Sequence, residues 1–290
     1  MYDRWFAANT HSLLGKRVAV AGATGGIGEH LCRYLLRLGA EVVLLCRSEH
    51  KARALMARLQ TEFPQGTMSF VPVSLEDVVS VEAAVTRLAA NPPHVLIHNA
   101  GAYAIPRHKA AGDSVDNIFR INCLSPYVMT KRLLEPMAAV GGHVVVVGSI
   151  AHNYSRIDPA DVDFSAYTAA SKLYGNAKRH LMLAMYRLFD GVKGVTLSVV
   201  HPGIAFTNIT AHYPQWLFAI IKHPMKVIFM PARRAALSVL RGVFATTAYG
   251  EWIGPRLFDV WGLPCKRKLR TFTAAEADAA FEAVERLSKS

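Results

Sequence analysis

The sequence predicts an α/β fold, a doubly wound parallel sheet with helices on both faces. Three observations carry that reading. Six short apolar runs alternate with helical patterns from Arg17 to about His201. The runs are apolar at nearly every position, which is what strands covered on both faces require. Glycines crowd the first strand-to-helix turn, "VAVAGATGGIGEHL". The chain of 290 residues, 52% hydrophobic and 19% charged, is long enough for one large core.

Taken in order, "RVAVAG" is the first strand, and the amphipathic stretch Glu29 to Leu38 is the first helix of the series, stopped by Gly39. "EVVLLC" follows, then a basic helix from Ser48 to Glu62, "MSFVPV", a helix near Val78 to Ala90, and "HVLIH". A longer helical region spans Asp113 to Ala139 before "GHVVVVG", and the stretch "FSAYTAASKLYGNAKRH" reads as one helix before "VTLSVVHPG". Residues 204–270 break the rhythm with aromatics and with Pro214, Pro224 and Pro231. Thr273 and Glu276 predict a capping box at the start of a last helix. No repeat or linker divides the chain, so one domain is expected over residues 16–290, with residues 1–15 as an N-terminal extension. That extension carries Tyr2, Trp5, Phe6, Leu13 and Leu14, more apolar surface than a solvated tail would show. It is expected to dock, either near the substrate lid to hold the site closed or for stability alone.

Four scattered cysteines with no C-x-x-C pair read as buried thiols in a reducing cytoplasm. The twelve histidines contain no H-E-x-x-H, so no metal is expected. The most apolar segment, "WLFAIIKHPMKVIFM", is interrupted by Lys222, His223, Pro224 and Lys226. A membrane span needs about 20 mostly apolar residues, so no transmembrane segment is expected. The net charge is +12, and the one tight cluster, "CKRKLR", has no interleaved aromatics. It reads as a solvated basic surface, with no nucleic-acid partner expected.

Gly22, Gly26 and Gly28 follow a buried strand and open a helix in the first βαβ unit. There glycine permits the turn and lets the backbone approach a pyrophosphate, which the helix N-terminus favours. This is the setting of a Rossmann-like dinucleotide site. Gly22, Gly25 and Gly28 also fit the G-x-x-G-x-x-G of sugar-nucleotide epimerases. For the adenosine end, a ribose diol wants a carboxylate at the end of the second strand, and a 2′-phosphate wants arginine. Cys46 and Arg47 stand there. The cofactor expected is NADP(H) or NAD(H), with a lean to NADP(H).

Two tyrosine–lysine pairs compete for the chemistry. A helix turns about 100° per residue, so positions four apart share a face and positions five apart diverge by about 140°. Tyr174 and Lys178 are four apart; Tyr167 and Lys172 are five apart. Spacing alone is weak, since "YVMTK" (Tyr127, Lys131) also matches.

The order of further motifs separates them. "HNAG" closes the fourth strand, Asn122 lies in "RINCLSPY", Ser149 ends the fifth strand, and "HPGIAFT" follows the sixth. From about Lys16 to Thr207 the chain resembles the short-chain dehydrogenase/reductase family, with its glycine loop, N-A-G, Asn, Ser, Tyr-x-x-x-Lys and P-G-x-x-x-T in sequence. The resemblance implies an NAD(P)-dependent enzyme acting on CH-OH groups, with Asn122, Ser149, Tyr174 and Lys178 as its catalytic set. It places Gly22, Gly26, Ile27, Gly28, Arg47, Asn99, Ala100, Gly101, Tyr174, Lys178, Pro202, Gly203 and Thr207 at the cofactor. It further implies that Lys178 and the positive charge of the nicotinamide lower the Tyr174 pKa and that Asn122 anchors a water relaying to Lys178. Ala21 stands where the family usually has Thr, and Ser74 where it has Asp.

The 25-residue gap from Ser149 to Tyr174 resembles the retinol and steroid dehydrogenase branch, and the chain is similar to bacterial hydroxysteroid dehydrogenases such as the 20β type. A lid over residues 204–265, rich in groups such as Ile204, Phe206, Trp216 and Phe218, points to a lipophilic substrate. A homo-oligomer is expected. The alternatives are a sugar-nucleotide epimerase or reductase, and a non-catalytic dinucleotide-binding regulator on the same fold.

Overall fold

Strand β1 (Arg17–Ala21) shows the rule on which the sheet is built: its side chains alternate between two apolar cores. Ala19 and Ala21 enter one core, and Val18 and Val20 the other. The same division holds for Val43 and Leu45 against Val42 and Leu44 in β2 (Glu41–Cys46). That is why these strands are apolar throughout, without polar alternation. The computed structural model describes residues 2–110, 112–206, 230–269 and 271–289.

The remaining strands are β3 (Met68–Pro72), β4 (Val95–His98), β5 (Gly142–Val147), β6 (Val195–Val200), β7 (Ala205–Phe206), β8 (Met230–Pro231), β9 (Glu251–Leu257) and β10 (Trp261–Lys268). Eight of them form one sheet in the order β10-β9-β6-β5-β4-β1-β2-β3, while β7 and β8 make a separate parallel pair. All pairings in the large sheet are parallel except β10 with β9. One face carries α1 (Tyr2–Asn9), α2 (Gly26–Arg37), α3 (Glu49–Glu62) and α7 (Ala232–Val243). The other carries α4 (Val78–Ala90), α5 (Ser125–Ala138), α6 (Ala170–Leu188) and α8 (Ala274–Leu287). The chain leaves β1 toward β2 on one side and returns to β4 on the other, which opens a crevice at the carboxyl ends of these strands. Among the described residues, no helix is long and apolar enough to cross a membrane.

Three expectations change. The helical region expected over residues 113–139 begins only at Asn117, where the Asp116 carboxylate accepts from the Phe119 N–H at 2.7 Å. It then widens into a π-turn, Arg120–Leu124, before α5. Pro126 has no N–H to offer the carbonyl one α-turn back, and the wider turn precedes it.

The lid expected over residues 204–265 is not continuous. From Met230 on, α7 buries Ala236, Val239 and Leu240 in the second core, and β9 and β10 extend the main sheet. Pro255, Pro264 and Gly254 mask these two strands in the sequence. The rest of the lid, with Trp216 and Phe218, lies outside the described residues. Lys266, Arg267 and Lys268 of the basic cluster fall on β10, at the sheet edge, where charge discourages pairing with another chain.

The capping box at α8 is half made: Thr273 Oγ1 accepts from the Glu276 N–H at 3.2 Å, while the Glu276 carboxylate turns to Arg179 at 2.8 Å. The N-terminal extension docks through a buried Trp5 and Leu13, with Phe6 against Tyr34 and under the Arg37 guanidinium. Tyr34 lies eight residues past Gly26, so this contact sits about 12 Å along α2 from the glycine turn. None of the described cleft-lining residues belongs to the extension, while the Tyr34 hydroxyl beside Phe6 donates to the Arg233 carbonyl at 3.2 Å, and the lid segment before it lies outside the described residues.

Candidate active site

The glycine turn shows why its residues have to be small. Gly22 has φ +73°, and a Cβ there would lie 2.8 Å from the Ala100 Cα. A Cβ on Gly28 would lie 2.2 Å from the Gly22 carbonyl oxygen. Asn99 ties this turn to the end of β4 by donating from Nδ2 to the Gly22 carbonyl at 3.2 Å. Helix α2 starts at Gly26 with Gly25 as its N-cap and no side-chain cap, so its first N–H groups face the crevice without a side-chain acceptor.

The crevice itself is a cleft of about 650 Å³, and Gly26, Ile27 and Ala100 line it beside the turn. Its other wall comes from β5 and α6. Lys178 projects from α6 and is 1% exposed, donating from Nζ to the Val147 carbonyl at 2.9 Å. Burial pushes its ammonium down to about 8, with the nearby Cys123 thiol opposing. Half-buried Tyr174, one turn earlier on the same face, has the Lys178 Nζ 5.8 Å from its ring centroid.

Burial pushes the Tyr174 phenol up to about 12; its hydrogen bond with Ser149 acts the other way, and Tyr103 adds to the rise. Loss of water around the hydroxyl is therefore the dominant influence on it. Gly101 is the point of convergence. A Cβ there would lie 3.1 Å from Asn122 Oδ1 and 3.8 Å from both Lys178 Nζ and Tyr174 Cε2.

Asn122 sits in the π-turn and is fully buried. It accepts from the Ala102 N–H at 3.1 Å and donates to the carbonyls of Ala102 and Ile118, so both amide hydrogens are used on the backbone. These bonds pin the loop after β4 to the π-turn.

The stretch read as one helix is not one. Helix α6 begins at Ala170, and Tyr167 lies in the loop before it. One local and one long-range anchor hold that loop. Asp161 accepts from the N–H groups of Ser165 and Ala166, and the Arg107 guanidinium donates to the carbonyls of Phe164, Ser165 and Tyr167 while pairing with Asp116. Phe164 adopts φ +55°, which interrupts any helix there. Because Tyr167 is off the helix, Lys172 does not point away as expected; its Nζ sits 4.7 Å over the Tyr167 ring. Tyr167 packs with Phe164, Ile105, Ile118 and Leu173, and it is absent from the described lining of the cleft.

Arg47, Pro202 and Gly203 also line the cleft, Gly203 with φ +82°. Thr207 lies outside the described residues. The sequence reading missed three lining groups. Tyr103 meets Tyr174 edge-on at 5.5 Å, and its place two residues after Gly101 was the available signal. His201 stacks on Trp252 at 4.8 Å, and burial pushes its imidazole down to about 4, so it is neutral. Glu76 had no signal in the local pattern.

The model of the short chain dehydrogenase family matches residues 16–217, most of the chain and all the elements just described around the cleft up to Gly203. The chain belongs to the short-chain dehydrogenase/reductase family. Among curated short-chain dehydrogenases, it is 31% identical to dehydrogenase/reductase SDR family member 13 of Bos taurus over 231 residues, 77% of this chain and 60% of that protein. It is 31% identical to the polyprenol dehydrogenase of Homo sapiens over 68% of this chain and 63% of that protein. Retinol dehydrogenase 12 of Mus musculus is matched more fully, at 30% identity over 87% of this chain and 86% of that protein. The chain thus spans 60–63% of the length of the first two of these relatives. Among solved structures of the fold, an uncharacterized protein from Mycobacterium paratuberculosis superposes with a TM-score of 0.76 at 24% identity, covering 98% of this chain and 97% of that one. A short-chain dehydrogenase from Sphingobium yanoikuyae, solved with NADPH, gives 0.61 at 20% identity, covering 94% and 95%.

Proposed function

We propose that this protein is an NAD(P)-dependent oxidoreductase interconverting a secondary alcohol and a ketone on a lipophilic, steroid-like substrate. The observation that carries the reading is the convergence of Asn122, Lys178 and Tyr174 on Gly101, with Ser149 bonded to Tyr174, beside a glycine turn with no room for a side chain at Gly22 or Gly28. The residues fit a dinucleotide: the positive φ at Gly22, the close approach at Gly28 and the uncapped N-terminus of α2 form a cradle for a pyrophosphate. Ile27, Asn99, Ala100, Pro202 and Gly203 continue that wall. Arg47, with no acid at Cys46, favours NADP(H), and the Sphingobium neighbour was solved with NADPH.

When bound, the nicotinamide supplies or accepts the hydride. The chain's own residues handle the proton and the oxygen. Tyr174, with its phenol at about 12, is protonated at neutral pH and donates to a carbonyl oxygen. Ser149 hydrogen-bonds the same oxygen and steadies its developing charge. Lys178 keeps a cation close to the ring when protonated, and Asn122 fixes the loop that carries Gly101 and Ala102. Tyr103 and Ile105 give the cleft an apolar wall suited to a lipophilic substrate. A primary isoprenoid alcohol is the second reading, supported by the printed names of the retinol and polyprenol dehydrogenases.

The test is nicotinamide absorbance against a panel of steroid ketones and alcohols, retinol and a polyprenol, with both cofactors and across pH. With a phenol near 12, reduction should be nearly flat from pH 6 to about 7 and fall as Lys178 loses its proton near 8, whereas oxidation, which needs the phenolate, should rise with pH below that point. Cofactor binding with no turnover on any member of the panel would favour a regulator over an enzyme.

A further inference from the structure

Two opposite charges meet at the adenosine end of the cleft. Arg47 follows β2 directly, and Glu76 lies four residues past the end of β3; both line the cleft. The Arg47 Nη1 is 3.7 Å from the Glu76 Oε1, with the guanidinium 76% exposed and the carboxylate 31%. So long and exposed an ion pair contributes little to the fold. The other Glu76 oxygen lies 3.9 Å from Nε2 of the exposed His108.

The positions at the two strand ends offer no acid of their own. Cys46 directs its thiol to the Ser48 carbonyl at 3.8 Å, and the Ser74 N–H donates to Ser80 Oγ at 2.9 Å. Glu76 is the sole carboxylate among the described residues that line the cleft. A ribose diol carries two O–H donors and needs an acceptor, while a 2′-phosphate is repelled by a carboxylate and drawn to a guanidinium.

We infer that Glu76 is a specificity-determining residue for the dinucleotide. It supplies, from the β3 side, the acceptor for the NAD(H) ribose that Cys46 lacks, and it is the counter-charge that limits how strongly Arg47 holds the 2′-phosphate of NADP(H). The inference rests on the proposed function, since it places a dinucleotide in this cleft. The pair gives the protein access to both cofactors and sets the ratio between them.

The experiment titrates NADPH and NADH into wild-type protein, Glu76→Gln, Glu76→Ala and Arg47→Ala, following nicotinamide fluorescence. Glu76→Gln removes the charge and keeps a carbonyl acceptor, so NADPH should bind about fivefold tighter with NADH changed less than twofold. Glu76→Ala removes the acceptor as well, and NADH should then weaken about tenfold. Arg47→Ala should weaken NADPH about tenfold and spare NADH, moving the ratio the other way. A structural role for Glu76 would weaken both cofactors together. If both Glu76 variants leave the NADPH-to-NADH ratio within twofold of wild type, or shift both affinities in the same direction by similar factors, the inference is overturned and the proposed function stands. A wild-type protein that binds neither dinucleotide overturns the proposed function and this inference with it.

Discussion

Tyr167 and Tyr174 are seven positions apart, and each has a lysine ammonium against its ring, at 4.7 Å for Lys172 and 5.8 Å for Lys178. Their surroundings differ in kind. Lys172 is exposed, and its partner ring packs in a small cluster under a loop held by Arg107 and Asp161. Lys178 is buried, bonded to the Val147 carbonyl, and faces a cleft through Tyr174. Proximity of a cation to a phenol is thus common to a packing contact and to a candidate site. What separates them is water: a cation in solvent costs nothing to keep, whereas burial costs stability and is retained where it has a use.

The sharpest way to break this comparison is Tyr174→Phe. It should lower turnover about 10²- to 10⁴-fold while leaving dinucleotide binding within about twofold, because only the transferable proton is removed. Steady-state rates alongside fluorescence titration check it; a larger loss from Tyr167→Phe would move the chemistry to the loop.

Lys178→Met should separate function from stability. Its ammonium is pushed from 10.5 down to about 8, a penalty of roughly 3 kcal/mol by the size of the shift. Subtracting about 1 kcal/mol for the orphaned Val147 carbonyl leaves the variant about 2 kcal/mol more stable. The sign follows from proton uptake: between about pH 8 and 10.5 the unfolded chain binds the proton that the folded one does not, so wild-type stability rises with pH there. The variant's advantage should be full below pH 8 and fade by pH 10.5, in denaturant melts, while turnover collapses.

The smallest effect belongs to the other pair. Lys172→Ala should cost at most about 1 kcal/mol, the worth of an exposed cation–π contact, and leave turnover within about twofold. A loss of turnover above tenfold would show that the loop transmits its packing to the cleft.

The same contrast explains what could be read from sequence. Strands β1, β2, β4, β5 and β6 are legible because continuous burial demands continuous apolar runs, as in "VVLL" and "HVVVV". Helices α3 and α4 announce themselves through Ser48 and Asp77, whose side chains cap them. The start of α6 is illegible: Ala169 has no capping side chain, and the loop before it is fixed by Arg107, some 57 to 60 positions away in sequence. Strands β9 and β10 hide behind their prolines. The Tyr174–Lys178 face followed from helical geometry, but the rise in the phenol's pKa did not, because it depends on what distant elements exclude from its surroundings. Glu76 became visible only when β3 was seen to lie beside β2 and bring it to Arg47.

Helix α8 has a consequence for how the chain is made. It covers α6 through Leu183, Ala277 and Ala280, clasps Arg179 with Glu276 at 2.8 Å, and reaches Tyr127 and Lys131 with Glu285. Residues 274–287 are translated well after α6, and at about 5–20 residues per second some five to twenty seconds separate the emergence of α6 from that of its cover. During that interval a nascent chain on the ribosome holds a complete glycine turn and a complete Tyr174–Lys178 helix whose outer face is still open to water. A premature stop just before α8 would freeze the protein in that state, with the candidate site encoded and the helix that carries two of its residues left uncovered.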